Sequence, residues 1–147
     1  MLKCLDNERK QYVLGYCEER FGIRIGVFDK YNWYIGSKNR IYIGPGKIER
    51  IIPESIGLCI FRLDKTPKPT TNFMQLFSKE IKKNIINLGK EDAENFCNGL
   101  DLTICPKLDI GFVCVNYEGI GLGCAHWNGE ILRNQVPKSR FCKINFL

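Results

Sequence analysis

Apolar positions along the chain recur first at helical spacing. Over residues 7–21, Tyr12, Leu14, Tyr16, Cys17 and Phe21 form a broad stripe, while Arg9, Lys10, Glu18, Glu19 and Arg20 supply the charged remainder. The pattern predicts a helix over 7–21, with Asn7 as its cap and Gly22 as its stop. Gly15 inside it reads as a small penalty and a mark of close packing. From residue 27 the rhythm changes. Asn32–Ile35 and Arg40–Ile43 are aromatic and β-branched and flank Gly36-Ser37-Lys38-Asn39, which is a hairpin signal. Gly44-Pro45-Gly46 ends that unit, and 48–52 and 56–63 read as further strands. Residues 65–71 carry two prolines among lysines and threonines and read as a rigid basic loop, because proline continues neither strand nor helix there. A short helix follows over 72–80, capped by Thr71, with Phe73, Leu76 and Phe77 on one face. Residues 83–88 read as a strand and 91–97 as a second short helix stopped by Asn98-Gly99. The chain is then β-rich: strands over 111–117, 121–127 and 131–136, with tight turns at Glu118-Gly119 and Asn128-Gly129, the latter a two-residue hairpin signal. Pro137-Lys138-Ser139-Arg140 breaks the meander before a last apolar segment, 141–147.

The fold class this predicts is α+β: a small N-terminal α/β unit over residues 1–56, then a β-rich domain with short helices over 57–147. A chain of 147 residues that is 44% hydrophobic can bury a core without staples.

Charge changes the picture moderately. The 22 basic residues outweigh 16 acidic ones, giving +6, which favours a polyanionic partner without specifying it. The excess is uneven. Residues 131–147 hold Arg133, Lys138, Arg140 and Lys143 and no acid, whereas residues 89–101 set Lys90 against Glu91, Asp92, Glu94 and Asp101. A basic face and an acidic back would orient the protein on nucleic acid.

Cysteine usage points away from chemistry. The eight cysteines, at 4, 17, 59, 97, 105, 114, 124 and 142, contain no Cys-x-x-Cys pair, and His126 is the sole histidine, so no metal site is expected. Several lie in apolar runs and read as small buried hydrophobes. With a polar N-terminus and no apolar run of membrane-spanning length, the expected setting is a reducing cytoplasm, with no membrane partner. Catalytic groups are sparse. Cys124 and His126 share a strand face with no third group to orient them. Glu91, Asp92 and Glu94 sit where they complement a helix dipole. Gly119-Ile120-Gly121-Leu122-Gly123 lies between strands and not between a strand and a helix, so it is no nucleotide loop; its glycines permit sharp turning and close backbone approach.

Gly111-Phe112-Val113-Cys114-Val115-Asn116-Tyr117-Glu118-Gly119-Ile120-Gly121-Leu122-Gly123 resembles the last hairpin of PUA domains. The larger stretch resembles the PUA-like tail of the Nop/Sun-type RNA cytosine-5 methyltransferases. It matches at Gly57-Leu58, Lys68–Asn72, Glu91–Gly99 and Gly129–Lys138, and Arg20–Ile23 resembles the start of the segment that precedes that unit. The adenosylmethionine-binding domain and the Pro-Cys catalytic motif of those enzymes have no counterpart here; Cys105-Pro106 is the reversed dipeptide. The resemblance therefore implies a PUA-like β-pseudobarrel that binds RNA without catalysis or cofactor, as an accessory to RNA modification or ribosome assembly. The implied RNA is tRNA or rRNA. In PUA domains RNA lies across the first helix, its preceding loop and adjoining strands, which places the contacts at Lys65, Lys68, Thr70, Thr71, Asn72, Arg133, Asn134, Lys138 and Arg140. Thr70 and Thr71 also read as helix caps. For Trp33, Tyr34 and Tyr42, base stacking competes with packing, and packing accounts for most of them. A second reading is a protein–protein adaptor whose N-terminal 60 residues dock a methyltransferase or ribosome-assembly factor.

Overall fold

The computed structural model describes residues 2–45 and 57–140. The strands predicted over 48–52 and the apolar tail over 141–147 lie outside the described residues. The element order is β1 (Lys3–Cys4), α1 (Asn7–Phe21), a 3-10 turn (Ile25–Phe28), β2 (Tyr31–Ile35), β3 (Arg40–Pro45), β4 (Leu58–Leu63), β5 (Pro67–Pro69), α2 (Thr71–Phe77), β6 (Ile85–Asn87), α3 (Lys90–Cys97), β7 (Gly111–Tyr117), β8 (Ile120–Trp127) and β9 (Leu132–Asn134). The α+β class holds. β1 to β5 form one antiparallel sheet in sequence order; β6 to β9 form a second, in which β6 runs parallel to β7 and the other pairs are antiparallel.

The predicted helix over 7–21 is α1, but its cap is Asp6, not Asn7: the Asp6 carboxylate accepts from the Arg9 amide at 3.0 Å. Gly22 ends it at φ 65°, its amide donating back to the carbonyls of Cys17 and Glu18. Gly15 marks no close packing, since a side chain there would meet nothing within 4 Å. The loop predicted over 65–71 contains a strand. β5 lies at the outer edge of the first sheet, where a proline's missing amide costs no ladder bond. The Asn128-Gly129 turn is longer than two residues. Trp127 pairs with Leu132, and the Asn128 side chain closes the intervening loop by accepting from the amides of Glu130 and Ile131, both at 2.9 Å.

The second sheet is the wall between two cores. Its inner face contributes Cys114 and Cys124 to a cluster with Val13, Cys17 and Phe21 of α1, Ile41 and Phe61 of the first sheet, and Phe73 and Phe77 of α2. The aromatic rings meet edge-on or tilted: Phe61 and Phe73 lie 4.7 Å apart, Phe28 and Phe77 4.9 Å. The other face carries Val113, Val115, Ala125 and Trp127 against Ala93 and Phe96 of α3 and Leu102. The division drawn at 56/57 therefore runs through the first sheet, because β4 and β5 pair with β3 and the N-terminal strands. Arg20 at the end of α1 ties that helix to the second sheet, donating to the carbonyls of Phe112 (2.9 Å) and Asp109 (3.1 Å), while the Asn84 amide donates to the carbonyl of Arg20.

Candidate functional site

The glycine-rich segment sets the position of α2. Gly119 turns the β7–β8 hairpin at φ 78°, next to Glu118 at φ 47°. Gly121 and Gly123 lie inside β8, and their bareness admits the helix: a Cβ at Gly121 would stand 2.8 Å from the carbonyl oxygen of Met74, and one at Gly123 would stand 2.7 Å from Val136 and 3.1 Å from the Thr71 hydroxyl. With α2 seated so closely, Gln75 donates to the Leu122 carbonyl at 3.0 Å, and the buried Thr71 hydroxyl accepts from the Cys124 amide at 3.3 Å.

The chain returns to this place after β9. Pro137 leads into a 3-10 turn over Lys138–Arg140. Arg140 lays its guanidinium on the first turns of α2, donating to the side-chain oxygen of Asn72 and, at 2.6 Å, to that of Gln75. Two of its five N–H groups are engaged this way and the group stays exposed. Beside it opens a groove of about 300 Å³ lined by Gln75, Cys97, Ile120, Leu122, Val136 and Arg140. It has an apolar floor with a planar cation and a side-chain amide at its rim, a combination suited to a flat, anionic or hydrogen-bonding ligand.

The residues predicted from sequence divide into three groups. Asn72 and Arg140 come together here, with Lys138 exposed in the same turn as Arg140, and β5 leads directly into the site with Lys68 exposed on it and Lys65 in the turn before it. Lys68 is not a bare cation: it lies 3.0 Å from Asp64, and that hydrogen bond holds the Asp64 carboxyl below its ordinary range. A second group is structural. Thr70, not Thr71, caps α2, accepting from the Phe73 amide at 3.2 Å and donating to the Cys59 carbonyl at 2.8 Å. Thr71 is 2% exposed, with its hydroxyl committed inside. Asn134 is likewise consumed by the fold: its amide donates to the carbonyls of Phe96 (2.8 Å) and Leu100 (3.2 Å), and its oxygen accepts from Val136 at 2.8 Å. Neither Thr71 nor Asn134 is available to a ligand. Arg133 stands alone. It is exposed on β9 opposite His126, roughly 14 Å along the strand from the Leu122 end that Arg140 reaches. Gln75 is the residue that sequence reasoning missed, and its place one turn after Asn72 was the available signal.

Reactive groups are quiet. Cys17 and Cys124 are buried, and burial pushes both thiols far above their ordinary range; Cys114 is pushed up to about 12. Such thiols remain protonated at neutral pH. His126 packs against Phe112, ring centroids 4.9 Å apart, and burial, then the nearby Arg20 charge, lowers its pKa. Among the described residues no three His, Cys, Asp or Glu side chains converge as a metal would require, and no helix is long and apolar enough to cross a membrane.

A search of curated proteins finds no match to the chain. The family comparison is informative where the groove lies: β6 to β9, the glycine-rich hairpin and the Lys138–Arg140 turn all fall within one matched segment, while α2 and β5 precede it. Residues 83–141 match the family described as the methyltransferase RsmF PUA domain.

Proposed function

We propose that this protein binds RNA through the groove between α2 and β8, without catalysing a reaction on it. The RNA is a structured tRNA or rRNA, and the protein acts as an accessory to RNA modification or ribosome assembly. One observation carries the reading: Arg140, within the segment that matches the PUA-domain family of an RNA methyltransferase, is braced by Asn72 and Gln75 at the mouth of an apolar groove. A braced guanidinium meets a phosphate or a base edge at low entropic cost, because its fork is already oriented. Lys138 next to it, with Lys68 and Lys65 on the approach, supplies phosphate contacts.

The test is titration of the full chain into fluorescently labelled tRNA and rRNA fragments at several salt concentrations. Four to six phosphate contacts give a log–log salt slope of about −3 to −4, taking the single-strand coefficient. Replacing Lys68, Arg133, Lys138 and Arg140 together by Glu abolishes binding; retained affinity in that variant would sink the site assignment. A chain that binds no RNA alone at moderate salt, yet joins an RNA methyltransferase or assembly factor, would favour the adaptor reading instead.

A further inference from the structure

The first sheet covers its core with one face only. Trp33, Ile41, Ile43 and Phe61 point inward and are at most 5% exposed. Strand alternation places Tyr34, Arg40, Tyr42, Arg62 and Lys68 on the opposite, outer face. The register then does something that no stretch of sequence displays. Arg40 on β3 stands directly opposite Arg62 on β4, and Arg62 directly opposite Lys68 on β5. Three cations thus form a row across three adjacent strands, about 10 Å from end to end. All three are exposed, and Lys38 and Lys65, also exposed, occupy the turns at the same end of the sheet. Asp64 is the one acid in 30–45 and 57–72, against Lys30, Lys38, Arg40, Arg62, Lys65 and Lys68. It reaches Arg62 at 3.6 Å and Lys68 at 3.0 Å, leaving Arg40 outside its reach.

Like charges placed directly opposite one another across a sheet destabilise it, so this row works against the fold that carries it. An anionic chain laid over the row removes that repulsion. Beside the cations, Tyr34 and Tyr42 pair in register across β2 and β3, both only partly buried, whereas Trp33, the neighbour of Tyr34 in sequence, is core. A cationic track flanked by aromatic rings on an open sheet is the chemistry that holds an unpaired nucleotide strand: the cations follow the phosphates and the rings take the bases. An acidic peptide would use the cations and leave the tyrosines idle; an anionic membrane surface would call for exposed apolar side chains along the row, and the cations' neighbours there are a carboxylate and two tyrosines.

We infer that the outer face of the first sheet is a second RNA surface, outside the family-matched segment, and that it binds a single-stranded stretch flanking whatever the Arg140 groove holds. This rests on the RNA-binding reading above and adds the form of RNA and the place.

The test compares three full-length proteins: the parent, the double variant Arg40→Gln with Arg62→Gln, and the double variant Lys138→Gln with Arg140→Gln. Each is titrated with oligouridine, with a fully paired RNA duplex, and with a structured tRNA carrying or lacking a single-stranded extension. Losing two phosphate contacts reduces the salt slope for oligouridine by about 1.4, which at 0.1 M salt is about a 25-fold loss of affinity. The sheet variant should show that loss for oligouridine and for the extended tRNA, while its affinity for the duplex and for the tRNA without extension stays within about twofold. Tyr34→Leu with Tyr42→Leu should weaken oligouridine binding with the salt slope unchanged. Thermal unfolding controls for folding: with the repulsion relieved, the sheet variant melts no lower than the parent. Oligouridine affinity unchanged in the sheet variant, with tRNA binding lost in the Arg140 variant, overturns this inference and leaves the groove assignment standing. The same pattern combined with loss of binding to phosphatidylserine vesicles would assign the row to a membrane surface instead and would also overturn it. No binding of any RNA by the parent overturns both readings.

Discussion

Gly121 offers the sharpest test of how the site is built. In Gly121→Ala the new methyl group would stand 2.8 Å from the Met74 carbonyl oxygen and 2.8 Å from the Ser78 Cβ, where ordinary contact begins at 3.4 Å. The overlap, about 0.6 Å, falls on a helix backbone that cannot turn aside as a side chain would. So α2 must back away from β8, loosening Phe73, Met74 and Phe77, each at most 3% exposed. Overpacking of this kind costs about 1–3 kcal/mol, and the rigid partner places the cost near 2–3 kcal/mol. For a chain of this length that lowers Tm by about 4–12 °C. Gly15→Ala is the matched control. It sits within α1 with nothing inside 4 Å, so the same methyl group should stabilise by about 0.5–1 kcal/mol through helix propensity. Thermal and urea unfolding, followed by far-UV circular dichroism, measure both. Because Gln75 and Asn72 ride on α2 and brace Arg140, Gly121→Ala should also weaken RNA binding, whereas Gly15→Ala leaves it unchanged. A Gly121→Ala protein as stable as the parent would refute the close approach of α2 to β8 and with it the shape of the groove.

Other outcomes follow from single residues. Thr70→Ala removes the α2 cap and a bond to the Cys59 carbonyl and should cost about 1–2 kcal/mol in urea unfolding, whereas capping through Thr71 would leave it neutral. Asn134→Ala strands the carbonyls of Phe96 and Leu100 and the Val136 amide, and should destabilise by about 2–3 kcal/mol without entering the salt slope of RNA binding. Native protein should react with Ellman's reagent at Cys4 and Cys105 within minutes, and at Cys17, Cys114 and Cys124 only on unfolding. The depressed pKa of His126 means the unfolded chain binds the extra proton first. Stability should therefore hold above the ordinary value of 6.5 and fall as pH drops below it, levelling off beneath the folded value; His126→Gln should remove that component from a pH series of melts.

The helix of α1, the β2–β3 hairpin and the β7–β8 hairpin were legible because each signal is local: a helical stripe, a turn between alternating strands, a glycine at positive φ. What failed was decided elsewhere in the fold. β5 hides behind two prolines, and only its place at the sheet edge makes them tolerable. Thr70 and Thr71 both read as caps of α2, and only the fold divides them: Thr70 accepts from the Phe73 amide, whereas Thr71 is sealed against Cys124. Asn134 looked like a surface amide because its partners, Phe96 and Leu100, are more than thirty residues away. The cationic row was invisible for the same reason. Arg40, Arg62 and Lys68 are scattered in sequence and become neighbours only through register. By contrast, the role given to the glycines of Gly119–Gly123, allowing a close backbone approach, matches the seat they provide for α2.

The central claim is that a braced Arg140 beside the α2–β8 groove holds RNA. Its most direct test is fluorescence anisotropy of labelled tRNA titrated with the parent chain and with Arg140→Lys, which keeps the charge but loses the fork. The account predicts salt-sensitive binding by the parent and at least a tenfold weaker complex for Arg140→Lys with a nearly unchanged salt slope, a loss of about 1.4 kcal/mol. Equal affinity for the two proteins would contradict it.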